Sequence, residues 1–153
     1  MVVIGQGGRD INPRDAWDQV GAPTAGQDIS DRTLQFAATP AHFDLAKSRD
    51  TYGPIGPVVV STDSFATPGD LRITCDINGE RRQDDRTSNL VFDVPALISY
   101  LSGFLTLSPG DLIFTGTPEG VGAATLRFLV DGDMISTTIE GIGTLTNQCR
   151  KPA

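Results

Sequence analysis

Apolar residues in this chain fall into short alternating runs cut by glycine and proline, with a single stretch of helical period. The clearest alternation is LRITCDINGERRQ, where Leu71, Ile73, Cys75 and Ile77 alternate with Arg72, Thr74 and Asp76 before the turn pair Asn78-Gly79. Successive strand side chains point to opposite faces, so this run predicts a hairpin with one apolar side. Its return run is polar, which predicts an edge position and reads Arg81 and Arg82 as charges that protect that edge. In FDVPALISYLSGFL the residues Leu97, Ile98, Leu101, Phe104 and Leu105 repeat with helical spacing; Asp93 and Pro95 open the helix and SPGD stops it. MVVIG reads as a strand, residues 58–60 as a buried strand after two Gly-Pro pairs, and LIFTGTPEGVG as a buried strand entering a glycine-rich loop. NPRDAWDQVG predicts a short helix with Asn12 as N-cap, Pro13 first, Gly21 beyond its end, and Ala16, Trp17 and Val20 on its apolar side. LVDGDMISTTIEGIGTLTN closes the chain as strands broken at Asp131-Gly132, Gly141 and Gly143. The sum is an α+β, β-rich chain.

Composition narrows this picture. The 153 residues predict one domain, with 39% apolar and 20% charged residues, and the 17 glycines and 10 prolines act as turn punctuation. A net charge of −7 provides no electrostatic footprint for nucleic acid. The longest apolar run, ALISYLSGFLTL, falls well short of the ~20 residues of a spanning helix, and the first residues lack the basic region of a secretion signal. Cys75 and Cys149 are far apart and form no CxxC, which argues against a zinc site or disulfide framework and for a reducing compartment. A soluble cytoplasmic protein is expected, without nucleic-acid or membrane partners.

The chemistry available is oxygen chemistry. The chain has no Gly-x-Ser-x-Gly elbow and no P-loop, and GQGG breaks the dinucleotide pattern at Asp10. His42 is the only histidine, and a lone histidine is more often a surface residue than a base. That leaves Asp28 in TAGQDISDRTLQF, which a turn or cap would also favour; Lys47 in the proline- and glycine-braced AKSRDTYGPIGP, a placed cation or a solvated one; and Thr115 and Thr117 in FTGTPEGVG, a loop suited to an anionic ligand or to a plain turn.

Five segments in order, GQDISDRTLQF, KSRDTYGPIGPVVV, NGERRQ, LSPGDLIFTGTPEGVG and DGDMISTTIEGIGTLTN, resemble the fumarylacetoacetate hydrolase family, which includes acylpyruvate hydrolases and isomerase/decarboxylases of aromatic breakdown. The resemblance runs from Val2 to about Asn147 and implies a mixed β-sandwich roll and usually a homodimer. It further implies a Mg²⁺ or Mn²⁺ site, with Ca²⁺ as a further candidate, and cleavage or rearrangement next to a 2-oxo acid or 1,3-diketone. By the same resemblance Asp28 is a metal ligand and Gln35, Thr51 and Thr117 meet substrate. Lys47 and Thr117 carry catalysis, and Arg32 follows the aspartate in the motif, where a structural ion pair also accounts for it. The family's Glu-x-Glu metal pair and its lid would lie before Met1, so the chain is expected to be a single catalytic domain, residues 1–153, lacking its N-terminal strand and lid. Three functions are therefore expected: a metal-dependent C–C hydrolase, an isomerase/decarboxylase, or a truncated, catalytically silent domain that dimerises or shares a site with a partner chain.

Overall fold

A computed structural model describes residues 1–151 and is α+β and β-rich, as expected. Among the described residues the strands form three sheets, and every ladder is antiparallel. The first sheet pairs β1 (Val2–Ile4) with β2 (Val20–Pro23) on one side and, on the other, a strand late in the chain, Leu112–Ile113. A small ribbon joins β3 (Ala25–Gly26) to β4 (Ile55–Gly56). The largest sheet contains β5 (Arg72–Ile77) and β6 (Glu80–Arg86), and the late strand becomes β7 in chain order. With β8 (Met134–Ile139) and β9 (Gly143–Gln148), the order in that sheet is β6-β5-β8-β9, so β6 takes the expected edge. The hairpin turn is also as expected: Asn78 and Gly79 have φ of 53° and 81°, the left-handed pair that matches the twist of two strands.

Three short helices complete the fold: α1 (Arg32–Gln35), α2 (Val94–Phe104) and α3 (Gly122–Thr125). The Asp93 side chain accepts from the Ala96 amide at 2.8 Å and starts α2 where the sequence places it. Its buried line is Val94, Ile98 and Ser102, with Leu101 packed beside them, against Val2, Ile4, Val20 and Ile113 of the first sheet. Phe104 and Leu105, assigned to the same apolar face by their spacing, are exposed; α2 ends at Phe104 and the backbone is extended at Leu105. A second core lies between the large sheet and β3, made by Ala25, Leu71, Ile139, Ile142 and Leu145.

Two predicted elements differ. Residues 12–20 make no continuous helix; Pro13–Asp15 and Trp17–Gln19 form separate 3₁₀ turns. Asn12 does cap the first turn, but Val20 pairs with Ile4, and that ladder pulls the chain into extended conformation before a helix can develop. Residues 58–60 are not a strand, and Val59 is 63% exposed. Single hydrogen bonds hold this segment, from Thr24 Oγ1 to the Val58 carbonyl and from the Val60 amide to the Pro23 carbonyl; Pro54 and Pro57 have no N–H to extend a ladder. No helix among the described residues is long and apolar enough to cross a membrane.

The outer face of the β5–β6 hairpin carries an ion network: Arg72 holds Asp84, Arg81 holds Asp76 and Asp84, and Arg86 holds Asp70 and Glu140. Hydrogen bonds from Arg86 and Arg72 lower the Asp70 and Asp84 pKa values below the ordinary range near about 4. For groups depressed in the folded state, the stabilisation is present above the unfolded value and is lost as pH falls through the folded one. Thermal midpoints followed by circular dichroism are therefore expected to drop below about pH 4, with the drop blunted in 1 M salt because the pairs are solvent-exposed. A midpoint that holds at pH 3 would mean the network contributes nothing.

Candidate functional site

Beyond β3, residues 27–29 run beside residues 52–54, tied by the amides of Gln27 and Ile29 to the carbonyls of Pro54 and Tyr52. This pairing brings two segments distant in sequence into register. Asp31 caps α1 through Leu34, which lowers its pKa, and its other oxygen pairs with Arg49 at 2.8 Å. The Asp31 amide donates to Ala46, just before Lys47 at the end of a 3₁₀ turn. Lys47 is placed by this backbone framework.

Lys47 Nζ lies 2.5 Å from Asp28 Oδ2 and 2.9 Å from Ser30 Oγ. An ammonium has three N–H donors, so two are engaged and one is left for a bound oxygen. Asp28 and Lys47 line a cavity of ≈ 870 Å³ that also contains Arg32 and Thr117. The opposite wall is the loop after β7. There Gln83 donates from Nε2 to Thr117 Oγ1 and to the Pro118 carbonyl, both at 2.8 Å. The Thr117 hydroxyl thus accepts from Gln83 and retains its own proton to donate. Ile73, Cys75, Ile77, Ile135 and Thr137 form the floor, so the alternation read in the sequence of β5 supplies part of the cavity base. Gln27 is anchored to that floor through Thr137.

The other expected site residues lie apart from the cavity. Gln35, expected to face substrate, is 1% exposed; its Oε1 accepts from Arg32 at 2.5 Å, and the helix α1 that carries it turns it inward. Among the described residues Arg32 makes no ion pair, so the amide of Gln35 takes the place of the expected acid. Thr51 is exposed outside the cavity in a turn closed by the Tyr52 amide and the Arg49 carbonyl, with φ of 71°. A β-branched residue rarely adopts that conformation, so the turn is strained. Thr115 borders a separate cavity, and His42 is exposed and lines neither.

Arg82 corrects the sequence reading in the other direction. In the β5–β6 ladder Cys75 faces Gln83 and Asp76 faces Arg81, so Arg82 is an extra residue in a β-bulge. The bulge directs Arg82 into the cavity instead of along the edge, with its side chain 20% exposed. Its Nε is buried without a partner, a deficit of about 1–3 kcal/mol for an unmade hydrogen bond. Glu80 is 3.5 Å from Arg82 but is held by Arg127 through two contacts of 3.1 and 3.2 Å, and Arg127 is the main cause of its lowered pKa. Arg82, Gln83 and Gln27 were missed as site residues because the bulge and the cross-sheet contacts leave no local signature.

Among the described residues no group of three or more His, Cys, Asp or Glu is placed to hold a metal. A hard divalent cation needs several oxygen ligands, and Asp28 offers one carboxylate already paired with Lys47. The described residues therefore do not by themselves fit the expected ion.

Comparison with known proteins adds four findings. The family model for the fumarylacetoacetate (FAA) hydrolase C-terminal domain matches residues 1–150. The chain is 44% identical over 149 residues to the oxaloacetate tautomerase YisK of Bacillus subtilis, covering 96% of this chain and 49% of the relative. Among solved structures it is similar to a 5-carboxymethyl-2-hydroxymuconate delta-isomerase from Mycobacterium smegmatis, at 40% identity and TM-score 0.88 over 99% of this chain and 57% of that one. It is also similar to a fumarylpyruvate hydrolase from Pseudomonas aeruginosa solved with Mn²⁺ and pyruvate, at 33% identity and TM-score 0.90 over 99% of this chain and 63% of that one. The chain spans about half the length of the curated relatives it matches.

Proposed function

Because the chain belongs to the fumarylacetoacetate hydrolase family, whose relatives are hydrolases, isomerases and tautomerases, we propose that its cavity binds a small 2-oxo acid or 1,3-diketone and promotes enolisation beside the keto group. The observation that carries this reading is the convergence of Lys47, with one unengaged donor, and Thr117, with a free hydroxyl proton, on one cavity. As a proton leaves the neighbouring carbon, the C–H electron pair forms the enolate C=C bond and the carbonyl π pair moves onto the keto oxygen, and both groups donate to the charge that develops there. Asp28 and Ser30 hold the ammonium in position. Solvent is taken as the proton acceptor, since the lining carboxylates Asp28, Glu80 and Asp133 are engaged by Lys47, Arg127 and Asn78, and His42 lies outside the cavity.

Cleavage of an acylpyruvate-like C–C bond and isomerisation or decarboxylation differ in the fate of the enolate. The relatives perform both kinds of chemistry, so hydrolase and isomerase stand equally as readings of this chain. The Mn²⁺ in the fumarylpyruvate hydrolase relative supports proposing a divalent ion such as Mn²⁺ or Mg²⁺, to which Asp28 would offer one oxygen and for which the described residues supply no complete ligand set. Pairing of two copies is also proposed, supported by the apolar outer side of α2, where exposed Tyr100 and Phe104 meet at 5.0 Å. A cytoplasmic setting is proposed from the two free thiols.

Deuterium exchange into the methyl group of pyruvate, followed by proton NMR in D₂O, tests the reading directly. Exchange faster than in buffer alone is expected. Exchange no faster than buffer, with or without added Mn²⁺, would leave the chain a silent domain.

A further inference from the structure

We propose that residues 121–129 form a flap that controls access to the cavity and is latched to β6 by the Arg127–Glu80 ion pair. The inference is independent of which small molecule the cavity takes.

The segment is anchored at its two ends. At Gly120 the backbone lies so close to the Arg82 carbonyl that not even a Cβ would fit between them. Beyond Leu129, the Val130 amide donates to Asp133 Oδ2 at 2.8 Å and the Asp133 amide donates back to the Val130 carbonyl at 3.2 Å. The Gly132 amide ties that turn to the Cys149 carbonyl at 2.9 Å.

Between these anchors the backbone hydrogen bonds stay within the segment, from Ala124 to the Val121 carbonyl and from Leu126 and Arg127 to the Gly122 carbonyl. Among the described residues, the two contacts from Arg127 to Glu80, at 3.1 and 3.2 Å, are the polar links from residues 121–129 to another part of the chain. Apolar packing does not make up the difference. Residues 123–130 are all exposed, Leu126 at 78% and Phe128 at 54%, and none belongs to either hydrophobic core. A segment with so few buried contacts and outside bonds opens at low cost in free energy.

Its position gives that opening a consequence. Ala123, Arg127, Phe128 and Leu129 line the cavity that also holds Asp28, Lys47 and Thr117. One side of the flap therefore faces the site and the other faces solvent. Lifting it widens the mouth, and lowering it carries Phe128 and Leu129 toward the apolar floor and displaces water from the site.

Two rates report on the flap without any ligand. Arg127 is the one basic residue between Arg86 and Arg150, so tryptic cleavage after Arg127 reads the opening of the segment itself. Cys75 is buried on the cavity floor, so its alkylation by iodoacetamide, in a Cys149→Ser background that removes the other free thiol, reads access to the cavity. Both rates follow the open population when reclosing is fast. Glu80→Gln is expected to raise the two by the same factor, about 2–5-fold, as befits an exposed ion pair. Glu80→Asp should give a smaller rise, and the thermal midpoint should not move. Because Glu80 also stands 3.5 Å from Arg82, the other partner is removed as well. Arg127→Gln should raise Cys75 alkylation as much as Glu80→Gln does, and the double variant no further. Unchanged rates in Glu80→Gln overturn the latch. Faster cleavage with unchanged alkylation, or faster alkylation with unchanged cleavage, shows that the segment does not guard the cavity and overturns the proposal, as do additive effects in the double variant.

Discussion

Lys47→Met is expected to lower the rate of enolisation by about 10²–10³-fold, the loss typical when one donor to a developing oxyanion is removed. Methionine keeps the length and apolar stem of lysine, so the 3₁₀ turn and its Asp44 cap remain. What disappears is the ammonium that bridges Asp28 and Ser30. The loss of stability should be small by comparison. Lys47 and Asp28 side chains are 27% and 50% exposed, and ion pairs this open contribute about 0.2–1 kcal/mol. Water can solvate the carboxylate left behind. The informative result is therefore a large kinetic effect with little change in midpoint, measured by pyruvate deuteration and thermal denaturation on the same protein. Equal loss of both would make Lys47 a structural residue, and an unchanged rate would remove it from the mechanism.

Gly120→Ala is expected to be the most damaging small substitution in the chain. A Cβ at Gly120 would sit 1.9 Å from the Arg82 carbonyl oxygen and 2.9 Å from its carbon, and φ there is +101°. Both obstacles are backbone, so no side chain can swing aside. The glycine-rich loop has to lift from β6, which breaks the Gln83 contacts that position Thr117 and disturbs the bulge that carries Arg82. A destabilisation of about 3 kcal/mol or more is expected, together with at least a ~10²-fold loss of activity, since displacing a reacting group by about 1 Å is enough for that. Gly110→Ala is the control. It has φ of +92° but open space around the added carbon, so it isolates the conformational cost, about 1–2 kcal/mol, and should leave activity intact. If the two variants had equal midpoints and full activity, the loop would not rest on β6 as described.

These two predictions draw on different levels of information. Lys47, Asp28 and Thr117 stand in recognisable segments, and resemblance to a family was enough to single them out. Gly120 and Arg82 matter because two remote strands and a loop meet at one point, which neither local pattern nor composition records. Gln35 shows the converse. It stands in the same segment as Asp28, yet α1 turns it into the interior, where it accepts from Arg32.

The sequence alone determined what depends on short-range stereochemistry and period. The Asn78-Gly79 turn, the caps at Asn12 and Asp93, the apolar face of β5, and the strand-rich character of the chain come from backbone preferences and alternation over a few residues. Only the tertiary structure decided the outcomes that depend on a distant partner. Val20 extends because Ile4 lies beside it, Val59 faces out because only single hydrogen bonds to Thr24 and Pro23 hold its segment, and Arg82 turns inward because β5 and β6 pair out of step by one residue. The physical reason is that strand side chains have a period of two. A one-residue change in register reverses which face a side chain occupies, and register is set by the partner strand.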